Sequence, residues 1–256
     1  MPNWVYNEIA IKGNKKDVLA FINRGIENSA NAIKAYGEGT IPATSKGLKS
    51  ALNTLVKKGV TVTSKGDGWD TSTEQELSVT NSITMGTFRT VPETYLKFDT
   101  TNHADLFKDA AKFQKDTYGE VGWYDFNSQK WFGCKWNSEL TDFRLEEVGK
   151  KAILFFNAQT PWSYPELWLK WIKEEFPTLD VFICASEESG AFYFYREISD
   201  EDGGEDWTSE IEVALTNFDD EHEEDMTDED WDARYDLENE LVDNMKGDFN
   251  TFVHEY

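Results

Sequence analysis

Cysteine and histidine are scarce in this chain. The two cysteines, Cys134 and Cys184, are too few for a disulfide framework and too isolated for a zinc site. Both are expected as free, buried thiols. Of the three histidines, His103, His222 and His254, none has a second histidine at ligand spacing. His222 lies inside the acidic run Asp219–Asp225 and reads as part of a solvated charged stretch. There is no Gly-x-Ser-x-Gly elbow, no P-loop and no dinucleotide-binding glycine pattern; Gly37-Glu38-Gly39 and Gly66-Asp67-Gly68 are isolated turn signals. Asp200-Glu201-Asp202-Gly203 opens like a calcium loop, but lacks the alternating order and the closing Glu such a loop requires. No apolar run approaches the ~18 residues of a membrane span, and no basic-then-apolar leader opens the chain. These absences predict a soluble cytoplasmic protein that is not an enzyme and uses no cofactor or metal.

Positive charge is missing from one part of the chain only. From Glu197 to Tyr256 there are 24 Asp/Glu against Arg234 and Lys246, whereas residues 1–196 carry 25 acids and 23 bases. A nearly neutral body is therefore followed by an intensely acidic segment. Such a field repels nucleic acid and attracts basic protein surfaces. It also disfavours the rival reading of a metal-dependent nuclease, whose polyanionic substrate would be turned away. Aromatic residues make up 14% of the chain, so a large core is affordable despite the charge.

Periodicity outlines the body. Ile9–Ile11 reads as a strand ending at Gly13, and Asn14 is placed to cap a helix over Lys15–Glu27 on Val18, Phe21 and Ile22. Residues 28–117 read as an insertion, with a helix over Ser45–Lys58, a strand at Val60–Thr63, a polar loop over Ser64–Gln75 and a helix over Ala104–Thr117. Trp123, Tyr124, Phe126, Trp131, Phe132 and Trp136 follow closely; with only Lys130 and Lys135 interleaved, they read as core rather than as a base-stacking platform. Leu140–Glu147 and Ala152–Ala158 form one expected hairpin, and Val181–Ala185 with Ala191–Arg196 a second. Between them Ser163-x-x-Glu166 has capping-box spacing before a helix bearing Trp168 and Ile172. The order predicts an α+β fold: a ferredoxin-like βαββαβ sandwich over residues 1–198 with an added strand and a helical insertion. Residues 199–256 are expected as an acidic extension of an edge strand, Glu210–Leu215, and a last helix capped by Thr227 and stopping at Gly247.

Several of these residues fall into a known pattern. Met1-Pro2-Asn3-Trp4 with Asn7 and Gly13, Trp123-Tyr124-Asp125, Trp131, Lys135-Trp136, Thr160-Pro161-Trp162-Ser163 with Pro165, and Phe176-Pro177 resemble the YubB-like family of phage and plasmid proteins. The resemblance covers residues 1–30 and roughly 115–198. It implies a ferredoxin-like domain and a mobile-element origin, and carries no catalytic residues with it.

The function expected from the charge is inhibitory binding. A phage or plasmid counter-defence protein would occupy the basic, nucleic-acid-binding site of a host protein, without touching nucleic acid or membrane itself. The contact zone is expected at Asp200, Glu201, Asp202, Glu205 and Asp206, together with Asp219, Asp220, Glu221, Glu223, Glu224, Asp225, Asp228, Glu229, Asp230 and Asp232. Trp207 or Trp231 would anchor it, with Asp236, Glu238 and Glu240 as an extension. A recruitment module without mimicry, or an accessory phage protein with a solubilising tail, are the alternatives.

Overall fold

In the computed structural model of the chain, the described residues are 3–36, 39–42, 61–65, 68–73, 77–79, 81–82, 84–92, 95, 105, 108–199, 204–222 and 226–255, with side chains left out over 26–36 and 39–82. Among the described residues, eleven strands run β1 (Trp4–Asn14), β2 (Gly39–Pro42), β3 (Thr61–Lys65), β4 (Gly68–Thr73), β5 (Leu77–Val79), β6 (Asn81–Ser82), β7 (Leu140–Val148), β8 (Lys151–Pro161), β9 (Asp180–Glu187), β10 (Tyr193–Glu197) and β11 (Gly204–Asp206). Among the helices, α1 (Lys15–Tyr36), α2 (Lys108–Tyr118), α3 (Glu166–Glu175), α4 (Thr208–His222) and α5 (Asp228–Glu255) exceed two turns.

A six-stranded sheet in the order β11-β10-β9-β1-β8-β7, antiparallel at every pairing, forms the centre of an α+β fold. Ile9–Ile11 pairs directly with Leu154–Phe156, and both expected hairpins are present. Alternation along each strand gives the sheet two apolar faces. One carries Ile9, Ile11, Leu154, Phe156, Val181 and Ile183, and is covered by Val18, Phe21 and Ile22 of α1 and Trp168, Leu169 and Ile172 of α3. The other carries Ala10, Ile153, Phe155, Phe182, Tyr193 and Tyr195, and is covered by Ile211 and Leu215 of α4 and Met245, Phe249 and Val253 of α5. The acidic segment thus supplies the third layer of a helix–sheet–helix stack.

The insertion has a sheet of its own, in the order β3-β4-β2-β6 with β5 beside β4. One of its contacts with the body is made by the short helix Met85–Phe88, whose Phe88 ring stacks on Phe21 at 4.5 Å. Gly25 makes that approach possible, because a Cβ there would lie 2.3 Å from the Phe88 ring. The α1 helix accordingly passes through Gly25 and ends well beyond Glu27.

Four expectations need correction. Glu210–Leu215 is helical, and the edge strand is Gly204–Asp206 instead. Ile211 and Leu215, four residues apart, share one helical stripe on the sheet, which outweighs the short alternation. Gly68–Thr73, expected within a loop, is a strand pairing with β2, β3 and β5. Ser163 does not cap α3: its hydroxyl donates to the Gly133 carbonyl at 2.6 Å, and Pro165 occupies the cap position. The α5 helix continues through Gly247 to Glu255. A helical glycine costs about 1 kcal/mol, less than the roughly 1.5–3 kcal/mol gained by burying Phe249 alone. The Ser45–Lys58 helix lies outside the described residues. No helix among the described residues is long and apolar enough to cross a membrane.

Candidate interaction surface

The acidic helices are built on firmly fixed ends. Asp206, at the end of β11, accepts a hydrogen bond from the Thr208 N–H at 2.9 Å and starts α4. The Thr208 hydroxyl in turn accepts from the Tyr193 N–H at 2.9 Å, tying the helix to β10. At the start of α5, Thr227 and Asp230 cap one another: the Thr227 N–H and hydroxyl donate to Asp230 at 2.9 and 2.7 Å. Hydrogen bonding from Thr208 holds the Asp206 carboxyl, and hydrogen bonding from Thr227 the Asp230 carboxyl, below the usual Asp range. Arg234 clamps α5 to α4 by donating to both oxygens of Asp219, at 2.7 and 3.2 Å.

The far end of α5 is fixed by bases of the body. Lys12, buried in β1, donates to the carbonyls of Val253 and His254 at 2.7 and 3.3 Å, where the helix C-terminus is negative. Burial pushes its ammonium below the usual lysine range, the Lys151 charge adding to this. Glu146 of β7 meets His254 at 2.9 Å, and Arg144 donates to Asn250 at 3.3 Å. Near the middle, the Tyr193 hydroxyl donates to Glu238 at 2.6 Å.

The residues expected at the contact zone therefore separate into groups. Asp206, Asp219 and Asp230 serve internal contacts, and Trp207 packs against the second core. Glu205, Asp220, Glu221, Asp228, Glu229, Asp232 and Trp231 are exposed, Trp231 by 55%. Asp200, Glu201, Asp202, Glu223, Glu224 and Asp225 lie outside the described residues. Along α5, Asp228, Glu229, Asp232, Asp236 and Glu240 are exposed, and among the described residues none of the five forms an ion pair. Asp243, one turn on, is paired with Lys246 at 3.2 Å.

Sequence reasoning missed the inner side of α5. There the helix crosses a polar stretch of the sheet, leaving a cleft of about 780 Å³ lined by Tyr6, Glu8, Asn157, Gln159 and Tyr235 among others. The signal was available: Tyr6 and Glu8 share a strand face with Ala10, so polar side chains must end up beneath whatever covers that face. Elsewhere both cysteines are free and buried, and burial pushes each thiol up to about 12. Among the described residues, no three of His, Cys, Asp and Glu gather as a metal-holding group.

No protein-family model matches the chain, and no curated protein matches it. Among solved structures it is similar to the crystal structure of the protein api92 from Yersinia pseudotuberculosis, of the family model DUF1281. The identity is 12% over 80% of this chain and 98% of that one, with a TM-score of 0.35. A likeness at that level bears on neither fold family nor activity.

Proposed function

We propose that this protein is a binding inhibitor whose acidic helices occupy a basic, nucleic-acid-binding surface on another protein. The observation that carries it is the carboxylate row of α5. Asp228, Glu229, Asp232, Asp236 and Glu240 span 13 residues, about 18 Å of helix, or one charge per roughly 4 Å. One strand of duplex DNA places a phosphate about every 3.4 Å along its axis. Caps at the N-terminus, the Arg234–Asp219 clamp and the Lys12 contacts fix the helix that bears the row, so little ordering would be left to association. Half-exposed Trp231 stands within the row as an aromatic anchor.

The partner is a nucleic-acid-binding host protein, and the setting is a phage or plasmid counter-defence system in the host cytoplasm, as the YubB-like resemblance implies. The β9-β1-β8-β7 portion of the sheet, with α1 and α3 on one face, supports a ferredoxin-like body extended at one edge by β10 and β11. The protein acts by occupancy and not by catalysis. Capture on the immobilised full-length chain from host lysate, at low and high salt, tests this. The expected catch is a DNA- or RNA-binding protein that is retained at low salt only and is released by duplex DNA. A retained partner that DNA cannot displace would instead identify a recruitment module.

A further inference from the structure

We infer that the cleft between α5 and the sheet is a binding site for an alkylguanidinium group. Its floor is set by strand register. Glu8 stands between Asn157 of β8 and Cys184 of β9, and Tyr6 between Gln159 and Ser186, so polar groups line up across three strands. Its roof is the stretch of α5 bearing Tyr235, Glu238 and Asn239. At about 780 Å³ the space is far larger than an ion needs, and matches an organic ligand.

The chemistry of the walls selects a cation. Glu8, Asp142, Glu187, Glu188 and Glu238 line the cleft against Lys246 alone. Glu187 accepts from Ser189 and Ala191, and Glu188 from the Trp4 N–H at 3.0 Å, each through Oε2. Glu238 keeps one oxygen free after bonding Tyr193, and Asp142 one after accepting from Thr141 and Asn157. Glu8 has no hydrogen-bond or ion-pair partner among the described residues, and burial raises its pKa against the pull of Arg144 and Lys246. A carboxylate held in that position gains a partner when a cation enters.

Shape separates a guanidinium from a metal ion. Among the described residues the carboxylates of the cleft do not converge as a metal-holding set, which leaves a planar group that bonds in two directions as the better match. Tyr6 and Tyr235 also line the cleft and are 50% and 65% exposed, so aromatic surface is accessible to a flat cation there. This inner cleft and the outer carboxylate row are separate surfaces of α5, and either can bind without the other.

Titration calorimetry on the full chain at low salt tests the site with two probes: agmatine, a free alkylguanidinium, and glycyl-arginyl-glycinamide, which carries the same group on a peptide. Saturable one-to-one binding of at least one probe is expected, and whichever binds more tightly shows whether the natural source is a free cation or a protein side chain. Glu8→Gln should weaken it about tenfold, and Tyr235→Ala, at an exposed helix position that folding tolerates, about threefold. Lys246→Met should tighten it by removing a competing charge, whereas Asp228→Asn on the outer row should leave it unchanged. Failure of both probes to saturate would overturn the assignment. So would affinities that ignore Glu8→Gln, Tyr235→Ala and Lys246→Met together, since that is the behaviour of a diffuse counter-ion layer.

Discussion

At the scale of single residues, Lys12 shows how a base from the neutral body governs the acidic layer. Its ammonium reaches the last carbonyls of α5 from inside the sheet, so one buried charge is satisfied by the negative end of a helix. Lys12→Met keeps the length and the apolar stem but leaves those carbonyls without their donor. The expected cost is about 1–3 kcal/mol in chemical denaturation, with faster amide exchange in the last turn of α5. Unchanged stability would show that water replaces the ammonium without loss. The sequence marks Lys12 only as the end of a short strand; its partner lies 241 positions away, beyond the reach of any local pattern.

At the scale of elements, what was legible followed the length and regularity of the pattern. Strands β1, β7, β8, β9 and β10 could be read because alternation or a continuous apolar run met clear turn signals. The Thr227 cap could be read because a side-chain oxygen before a helix has one obvious use. Two helices were misjudged for the opposite reason. The α4 helix exposes Val213 by 59% while burying Ile211 and Leu215, so its apolar letters imitate a strand. The α5 helix crosses Gly247 because its C-terminal half rests on the second core, a tertiary gain that no local propensity displays. In α2 the exposed Phe113 and the buried Gln114, whose side chain accepts from the Gly122 N–H at 3.1 Å, reverse the apolar and polar roles. Phe249→Ala tests the account of α5. Opening a cavity among Tyr195, Phe252 and Met245 should cost about 3–5 kcal/mol, and should free the helix from the sheet before the body unfolds. A loss below about 1 kcal/mol would show that α5 is held by its polar ties and not by the core.

At the scale of the whole molecule, charge and packing coincide in one layer. The segment that carries nearly all of the net negative charge also covers the apolar face formed by Phe155, Phe182, Tyr193 and Tyr195. Removing residues 199–256 should therefore uncover a continuous aromatic patch, lower the melting temperature and raise binding of a hydrophobic dye. A truncated chain that melts like the parent would show the first face alone to be a sufficient core. The composition revealed the charge asymmetry but not this double use, because amphipathic helices disguise their apolar stripe among acids. For the same reason the contact zone as read from the sequence mixed carboxylates that cap and clamp with those that face solvent. Among the described residues, those that face solvent are Glu205, Asp220, Glu221, Asp228, Glu229 and Asp232, with Asp236 and Glu240 continuing the row.

The most direct test of inhibitory mimicry is a competition on the captured partner. The complex is titrated with duplex DNA, in parallel with a chain in which Asp228, Glu229, Asp232, Asp236 and Glu240 are changed to Asn or Gln. The expected result is release of the partner over the DNA concentrations at which it binds DNA alone, together with loss of capture by the neutralised chain while its fold and melting temperature are kept. Retention of the partner at saturating DNA, or equal capture by the neutralised chain, would contradict it.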